Sequence, residues 1–167
     1  MFKGWSVPLT MLVAGSLSTA AVAAGDAVLP ASLTWTASGE AALAKGQAGS
    51  AIDAFEAALA IDPRNNRAFI GMAHAYEMQG LPGRAVKFYR EALVIDPNDL
   101  AALEGQGKAL IARGATTRAR VNLDRIKTLC KADCPAAKRL EVALAAPPVV
   151  VAPTASAEPA KPAVAKN

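Results

Sequence analysis

Cys130 and Cys134 are the only cysteines in the chain, four residues apart, and His74 is the only histidine. These three side chains carry most of the chemistry that the residue types permit. Two thiols at that spacing can close a disulfide, because one helical turn or a tight turn brings their Cα atoms within bridging distance. A redox-active dithiol is the second reading, but the usual motif has two intervening residues and here there are three. A structural zinc site needs about four ligands, which one histidine and two cysteines do not supply. No metal or cofactor is therefore expected. General acid–base work needs a positioned partner, and His74 has none that the sequence identifies. The chain contains no G-x-S-x-G, no H-E-x-x-H and no glycine-rich phosphate loop. No catalytic residue is assigned, and the chain is not expected to be an enzyme.

The elements that must position these residues are legible once the two ends are set aside. Lys3 precedes an apolar stretch over residues 6–17, and Ala21-Val22-Ala23 supplies a small-residue exit. That is the layout of a secretory signal peptide, assigned to residues 1–24 with a short linker over 25–31. Ser, Thr, Gly and Pro interrupt the apolar run, whereas a membrane helix needs about 20 mostly apolar residues. Export to an oxidising compartment, most simply the bacterial periplasm, favours the disulfide. At the other end, residues 147–167 are rich in Ala and Pro, beginning Pro147-Pro148-Val149. Repeated proline removes backbone donors and forbids continuous helix, so this stretch is expected to be a disordered tail. Without Lys3 the chain carries 17 basic and 14 acidic residues, an imbalance that by itself implies no nucleic-acid partner.

Between the ends, residues repeat at a spacing of 34: Gly46, Gly80 and Gly114, then Ala51, Ala85 and Ala119, then Phe55, Tyr89 and Leu123. Gly39, Ala73 and Gly107 keep the same phase, as do Ile61-Asp62-Pro63 and Ile95-Asp96-Pro97. Fixed periods of this size mark a repeat array. The middle copy shows the unit. Phe69, Met72, Ala73 and Tyr76 share one helical face, Gly80 ends that helix, and Pro82 opens a second one carrying Ala85, Phe88, Tyr89, Ala92 and Leu93. Small Ala73 and Ala85 belong where the two helices cross, and bulky Phe69, Tyr76 and Tyr89 belong where a gap must be filled. One hairpin buries its stripe on one side only and needs a neighbour, so the copies stack.

These residues resemble the tetratricopeptide repeat, a 34-residue helix–turn–helix. Trp35, Gly39, Ala51, Phe55, Ala58, Leu59 and Pro63 carry the likeness in the first copy. Phe69, Ala73, Tyr76, Gly80, Ala85, Tyr89, Ala92, Leu93 and Pro97 carry it in the second. The third copy matches at Leu103, Gly107, Leu110, Gly114, Ala119 and Leu123 but has Ile126 and Lys131 in place of the late Ala and Pro. Ser38 and Ala42 are smaller than the family's usual residues. The expectation is an all-α solenoid over residues 32–146. Its three hairpins fall at about 32–65, 66–99 and 100–133, with a capping helix at about 134–146 that starts at Cys134-Pro135. A Cys130–Cys134 disulfide would pin that helix to the last repeat and contribute about 2 kcal/mol before any strain.

The resemblance implies that the first helix of each hairpin faces a concave side. On that mapping a partner groove would include Thr36, Glu40 and Leu43, then Arg67, Ile70, His74 and Glu77, then Glu104, Lys108 and Ile111. For His74, a solvent-exposed position without a role stands beside the ligand-contacting one. Some family members grip a C-terminal carboxylate with a Lys/Asn clamp, but Thr36 and Glu40 occupy the corresponding places here. Arg113, Arg118, Arg120, Arg125, Lys127, Lys131, Lys138 and Arg139 form a basic cluster opposed by Asp124 and Asp133. It reads first as a solvated outer face and second as a salt-sensitive site for anionic lipid or an acidic partner. No aromatics interleave with these bases, which argues against nucleic acid. The function expected is non-catalytic protein–protein interaction, an adaptor or scaffold binding another protein or peptide. Membrane contact is compatible but not required. The alternative is a permanent structural subunit of an envelope secretion or pilus assembly complex.

Overall fold

The structure is a computed structural model and describes residues 27–130 and 133–146. The signal segment assigned to residues 1–24, the tail over 147–167 and Lys131 lie outside the described residues. Seven helices account for the rest: α1 Pro30–Ala44, α2 Ala48–Ile61, α3 Asn66–Met78, α4 Pro82–Ile95, α5 Leu100–Ala112, α6 Thr116–Cys130 and α7 Pro135–Ala145. No strand occurs among the described residues. The all-α solenoid expected from the 34-residue period is the fold observed. Helices α1/α2, α3/α4 and α5/α6 pack as hairpins, each hairpin packs on the next, and α7 closes the end against α5 and α6.

The turn inside each hairpin is the same object three times. Gly46, Gly80 and Gly114 have φ of +75°, +71° and +74°, a left-handed conformation that other residues adopt at a cost. Each glycine donates to the carbonyl three residues back, and the next residue donates to the carbonyl five back. Gly80 N reaches Glu77 O at 2.9 Å and Leu81 N reaches Tyr76 O at 2.9 Å. Those bonds satisfy the last carbonyls of the first helix and reverse the chain. Between hairpins, Asn65 and Asp99 cap the next helix, their side chains accepting from Ala68 N at 3.1 Å and Ala102 N at 2.8 Å. Asp62 fixes the front of α1 by accepting from Leu29 N at 3.1 Å. The backbone N–H groups of Arg64 and Leu29 hold its carboxyl below the usual carboxylate range.

Packing between hairpins depends on a ring facing glycine. The Phe55 ring from α2 lies between α1 and α3. A Cβ on Gly39 would sit 2.6 Å from the ring, and a Cβ on Gly71 would sit 2.3 Å from it. Tyr89 of α4 repeats the arrangement one copy later, 2.3 Å from where a Cβ on Gly105 would stand. Phe55, Tyr89, Ala51, Ala58, Ala73, Ala85 and Ala92 are wholly buried, so small residues let the helices close on the rings. The third copy differs. Leu123 replaces the ring, and Leu140 of α7 fills the space over Gly107 instead. Leu103, Leu123, Ile126, Ala136, Ala137 and Leu140 form a second core cluster around that cap.

Phe55 cannot retreat from one glycine without meeting the other. Gly71→Ala should therefore cost about 1–3 kcal/mol by overpacking, against a helix-propensity gain of up to about 1 kcal/mol. Gly49 has nothing within 4 Å of its would-be Cβ, so Gly49→Ala should be neutral or slightly stabilising. Denaturant unfolding of both variants checks this, and equal midpoints would mean the ring is not confined.

Candidate functional site

The first helices α1, α3 and α5 lie side by side, and α7 continues the row beyond α5. Two clefts open on this inner face. One, of about 380 Å³ between α3 and α5, is lined by His74, Glu77, Tyr89, Ala101, Glu104, Gly105 and Lys108. The other, of about 620 Å³ between α5 and α7, has Leu100, Ala101, Pro135 and Ala136 as apolar walls and Glu104 and Arg139 at its edge. Ala101 and Glu104 line both, so the two clefts adjoin at these residues.

The floor of the first cleft is polar because Tyr89 is long enough to cross the helix layer. Its ring fills the Gly105 slot, and its hydroxyl, covered by the side chains around it, donates to Glu77 Oε2 at 2.9 Å. His74 Nδ1 lies 3.2 Å from that hydroxyl and 3.2 Å from Glu77 Oε2. Burial and the neighbouring Glu77 charge raise the Tyr89 phenol far above its ordinary value, so it stays protonated. Glu104 is the hub of the second cleft. Arg139 donates to both its oxygens at 2.7 and 2.6 Å, and Lys108 pairs with Oε1 one helical turn away. Burial pushes the Glu104 carboxyl upward, but hydrogen bonds from Arg139 and Lys108 outweigh it and hold the group below its usual value.

Of the residues predicted for a groove, His74, Glu77, Glu104 and Lys108 come together. Thr36 is a correction. It is 1% exposed, donates to Ser32 O at 2.9 Å and accepts from Asn65 Nδ2 at 2.8 Å. Asn65 also donates to Ser32 Oγ at 2.8 Å, so Thr36 belongs to a buried polar junction between hairpins and is closed to a ligand. Glu40 and Arg67 neutralise each other in a two-pronged ion pair across α1 and α3. Leu43, Ile70 and Ile111 are half-buried and pack on the core. Tyr89, Ala101 and Arg139 are groove residues absent from the sequence-based set. The predicted basic cluster also divides: Arg139 faces the groove, Lys127 pairs with Glu141, and Lys138 pairs with Asp133. The two cysteines stand at the end of the second cleft with Cα atoms 5.6 Å apart.

The lowered Glu104 carboxyl stabilises the fold above the unfolded carboxylate range, and that contribution is lost as pH falls through the folded value. Glu104→Gln should lower stability at pH 7 by about 1–3 kcal/mol, because Arg139 and Lys108 lose a charged acceptor. The deficit should shrink as pH falls through the folded value of Glu104, below which both proteins present a neutral side chain. Thermal unfolding across that range checks the sign; a deficit constant with pH would contradict the pairing.

Residues 42–104 match the tetratricopeptide repeat family. No curated protein sequence matches the chain. Among solved structures, the Sgt2 tetratricopeptide domain from Aspergillus fumigatus is 28% identical, covering 70% of this chain and 79% of that one, with a TM-score of 0.65. The first such domain of Spaghetti (RPAP3), bound to the HSP90 peptide SRMEEVD, is 21% identical, covering 70% and 97%, with a TM-score of 0.62. The OM64 domain from Arabidopsis is 21% identical, covering 68% and 93%, with a TM-score of 0.63. The sequence match over residues 42–104 and the stacked hairpins around it identify this domain as a tetratricopeptide-repeat fold.

Proposed function

We propose that this chain is a non-catalytic protein–protein interaction module, an adaptor or scaffold of the bacterial cell envelope. It receives a peptide or partner helix in the groove of α3, α5 and α7. The observation that carries this reading is the pair of adjoining clefts that share Ala101 and Glu104, with Glu77, His74 and Lys108 lining one and Arg139 the other. The preformed helices limit the ordering cost of binding on the receptor side. Peptides bound to the Spaghetti domain, and the HSP70 peptide in complex with the second RPAP3 domain, support a peptide as occupant. The chemistry of recognition differs from a carboxylate clamp, because Thr36 is buried and Glu40 is paired with Arg67. A ligand here meets a carboxylate, an imidazole and an ammonium group within one short stretch.

Export is part of the proposal. It rests on the signal-like residues 1–24 and accords with oxidation of Cys130 and Cys134 to a bridge between the last repeat and the cap. Peptides selected from a random library on the chain should shift amide resonances of α3 and α5. His74→Ala with Lys108→Ala should weaken their binding roughly tenfold through two lost polar contacts. Shifts confined to α2 and α4, or affinity indifferent to the double substitution, would sink the groove reading. In chain recovered after export, an alkylating reagent should modify Cys130 and Cys134 only after reduction. Two thiols labelled without reductant would count against the bridge.

A further inference from the structure

The three hairpin turns form a basic rim that the groove does not use. Gly46, Gly80 and Gly114 have one geometry, and the hairpins stack in register, so the turns stand in a row along one edge. Lys45 and Arg113 end the first helices of copies one and three, while Arg84 and Arg118 lie in the first turns of the second helices of copies two and three. Neighbouring turns touch: the Arg113 guanidinium lies 3.7 Å from where a Cβ on Gly83 would stand. Lys87 completes the set one turn along α4.

These bases are held without counter-charges. Arg84 lies over the Tyr76 ring at 5.3 Å and Lys87 over the Phe88 ring at 5.5 Å, and those two rings stack on each other. Among the described residues none of Lys45, Arg84, Lys87, Arg113 and Arg118 has a carboxylate within ion-pair distance. Lys127, Lys138 and Arg139 of the C-terminal half are each tied to an acid, whereas Arg125 has only the Asn98 amide oxygen. Apolar side chains project among the unpaired bases: Met78 is 50% exposed and Leu81 40% exposed, on either side of Gly80. The opposite edge, where one hairpin joins the next, carries Asp62, Asp96, Asp99 and Asp133, but Asp62 pairs with Arg64, Asp133 pairs with Lys138, and Arg125 lies against Asn98. That edge is of mixed charge, and the rim is basic.

We propose that this rim docks the domain edge-on against the anionic head-group surface of a lipid bilayer. A planar surface meets a row of protruding turns at once, across the small cleft that Gly80, Pro82, Ala109 and Ala112 line between two of them. Bases supply the attraction, and Met78 and Leu81 enter the interface between head groups and acyl chains. Among the described residues no helix is long and apolar enough to cross a membrane. The opposite edge faces away, and the groove is left open to a partner.

The full chain is mixed with phosphatidylcholine vesicles with or without phosphatidylglycerol, and bound protein is measured by flotation and amide hydrogen exchange. Phosphatidylglycerol should raise binding in a salt-sensitive way and protect amides at Gly80–Arg84 and Gly114–Arg118, but not at Asp62–Asn65. Each base near an anionic surface contributes roughly fivefold, so Arg84→Gln, Arg113→Gln and Arg118→Gln together should cut the phosphatidylglycerol-dependent part on the order of 100-fold. Removing equal charge with Arg125→Gln, Lys127→Gln and Lys138→Gln should leave most of it. Equal losses from both triples, or no protection at the turns, would overturn the proposal. Polyglutamate protecting the same amides as strongly, without vesicles, would also overturn it by assigning the rim to an acidic polymer.

Discussion

The contact on which the rest of the structure depends is an aromatic ring pressed into a slot that only glycine leaves open. Phe55 joins the first hairpin to the second through Gly39 and Gly71, and Tyr89 joins the second to the third through Gly105. The ring belongs to the second helix of one copy, and Gly71 and Gly105 belong to the first helix of the next. Each hairpin therefore lacks a complete core until its successor arrives, and stacking is a condition of folding. The chain ends the series by changing the residues. Leu123 stands where a ring would be, Arg139 stands where a third glycine would be, and Leu140 supplies the apolar closure.

The same substitution pattern makes the groove. A phenylalanine in the slot, as at position 55, ends in hydrocarbon. A tyrosine in the slot, as at position 89, carries a hydroxyl through to the inner face, where Glu77 and His74 meet it. At the last junction the arginine in the glycine position reaches back to Glu104 at the edge of the larger cleft. Packing and recognition are therefore one set of residues viewed from two sides. The first junction, with its phenylalanine and its Glu40–Arg67 pair, presents a closed surface; the second and third present the polar groups.

Much of this was legible in the sequence, for physical reasons that also mark the limit. The turns could be read because a left-handed residue after a helix selects glycine strongly, and Gly46, Gly80 and Gly114 stand in phase. The hairpins could be read because Ala85 and Tyr89 alternate small and large at helical spacing. Thr36 could not be placed, because its burial depends on Asn65, which arrives from the following hairpin and takes both Ser32 and Thr36 as partners. Arg139 was read with the other bases of its region, since nothing local distinguishes it. The signal was its phase: residues 71, 105 and 139 are spaced by one repeat, and the first two are glycine. Following that phase would have moved Arg139 from the outer face to the groove. The division of the basic cluster was hidden for the same reason, because ion pairing is decided by which helices meet.

On the proposed function, binding takes place on the inner face of α3, α5 and α7 and not on the outer faces of α2 and α4. A photo-crosslinking residue placed at His74, and separately at the outward-facing Glu56, tests this in intact cells. An adduct of discrete mass is expected from position 74 and none from position 56. Adducts at position 56 alone, or equally at both, would contradict it.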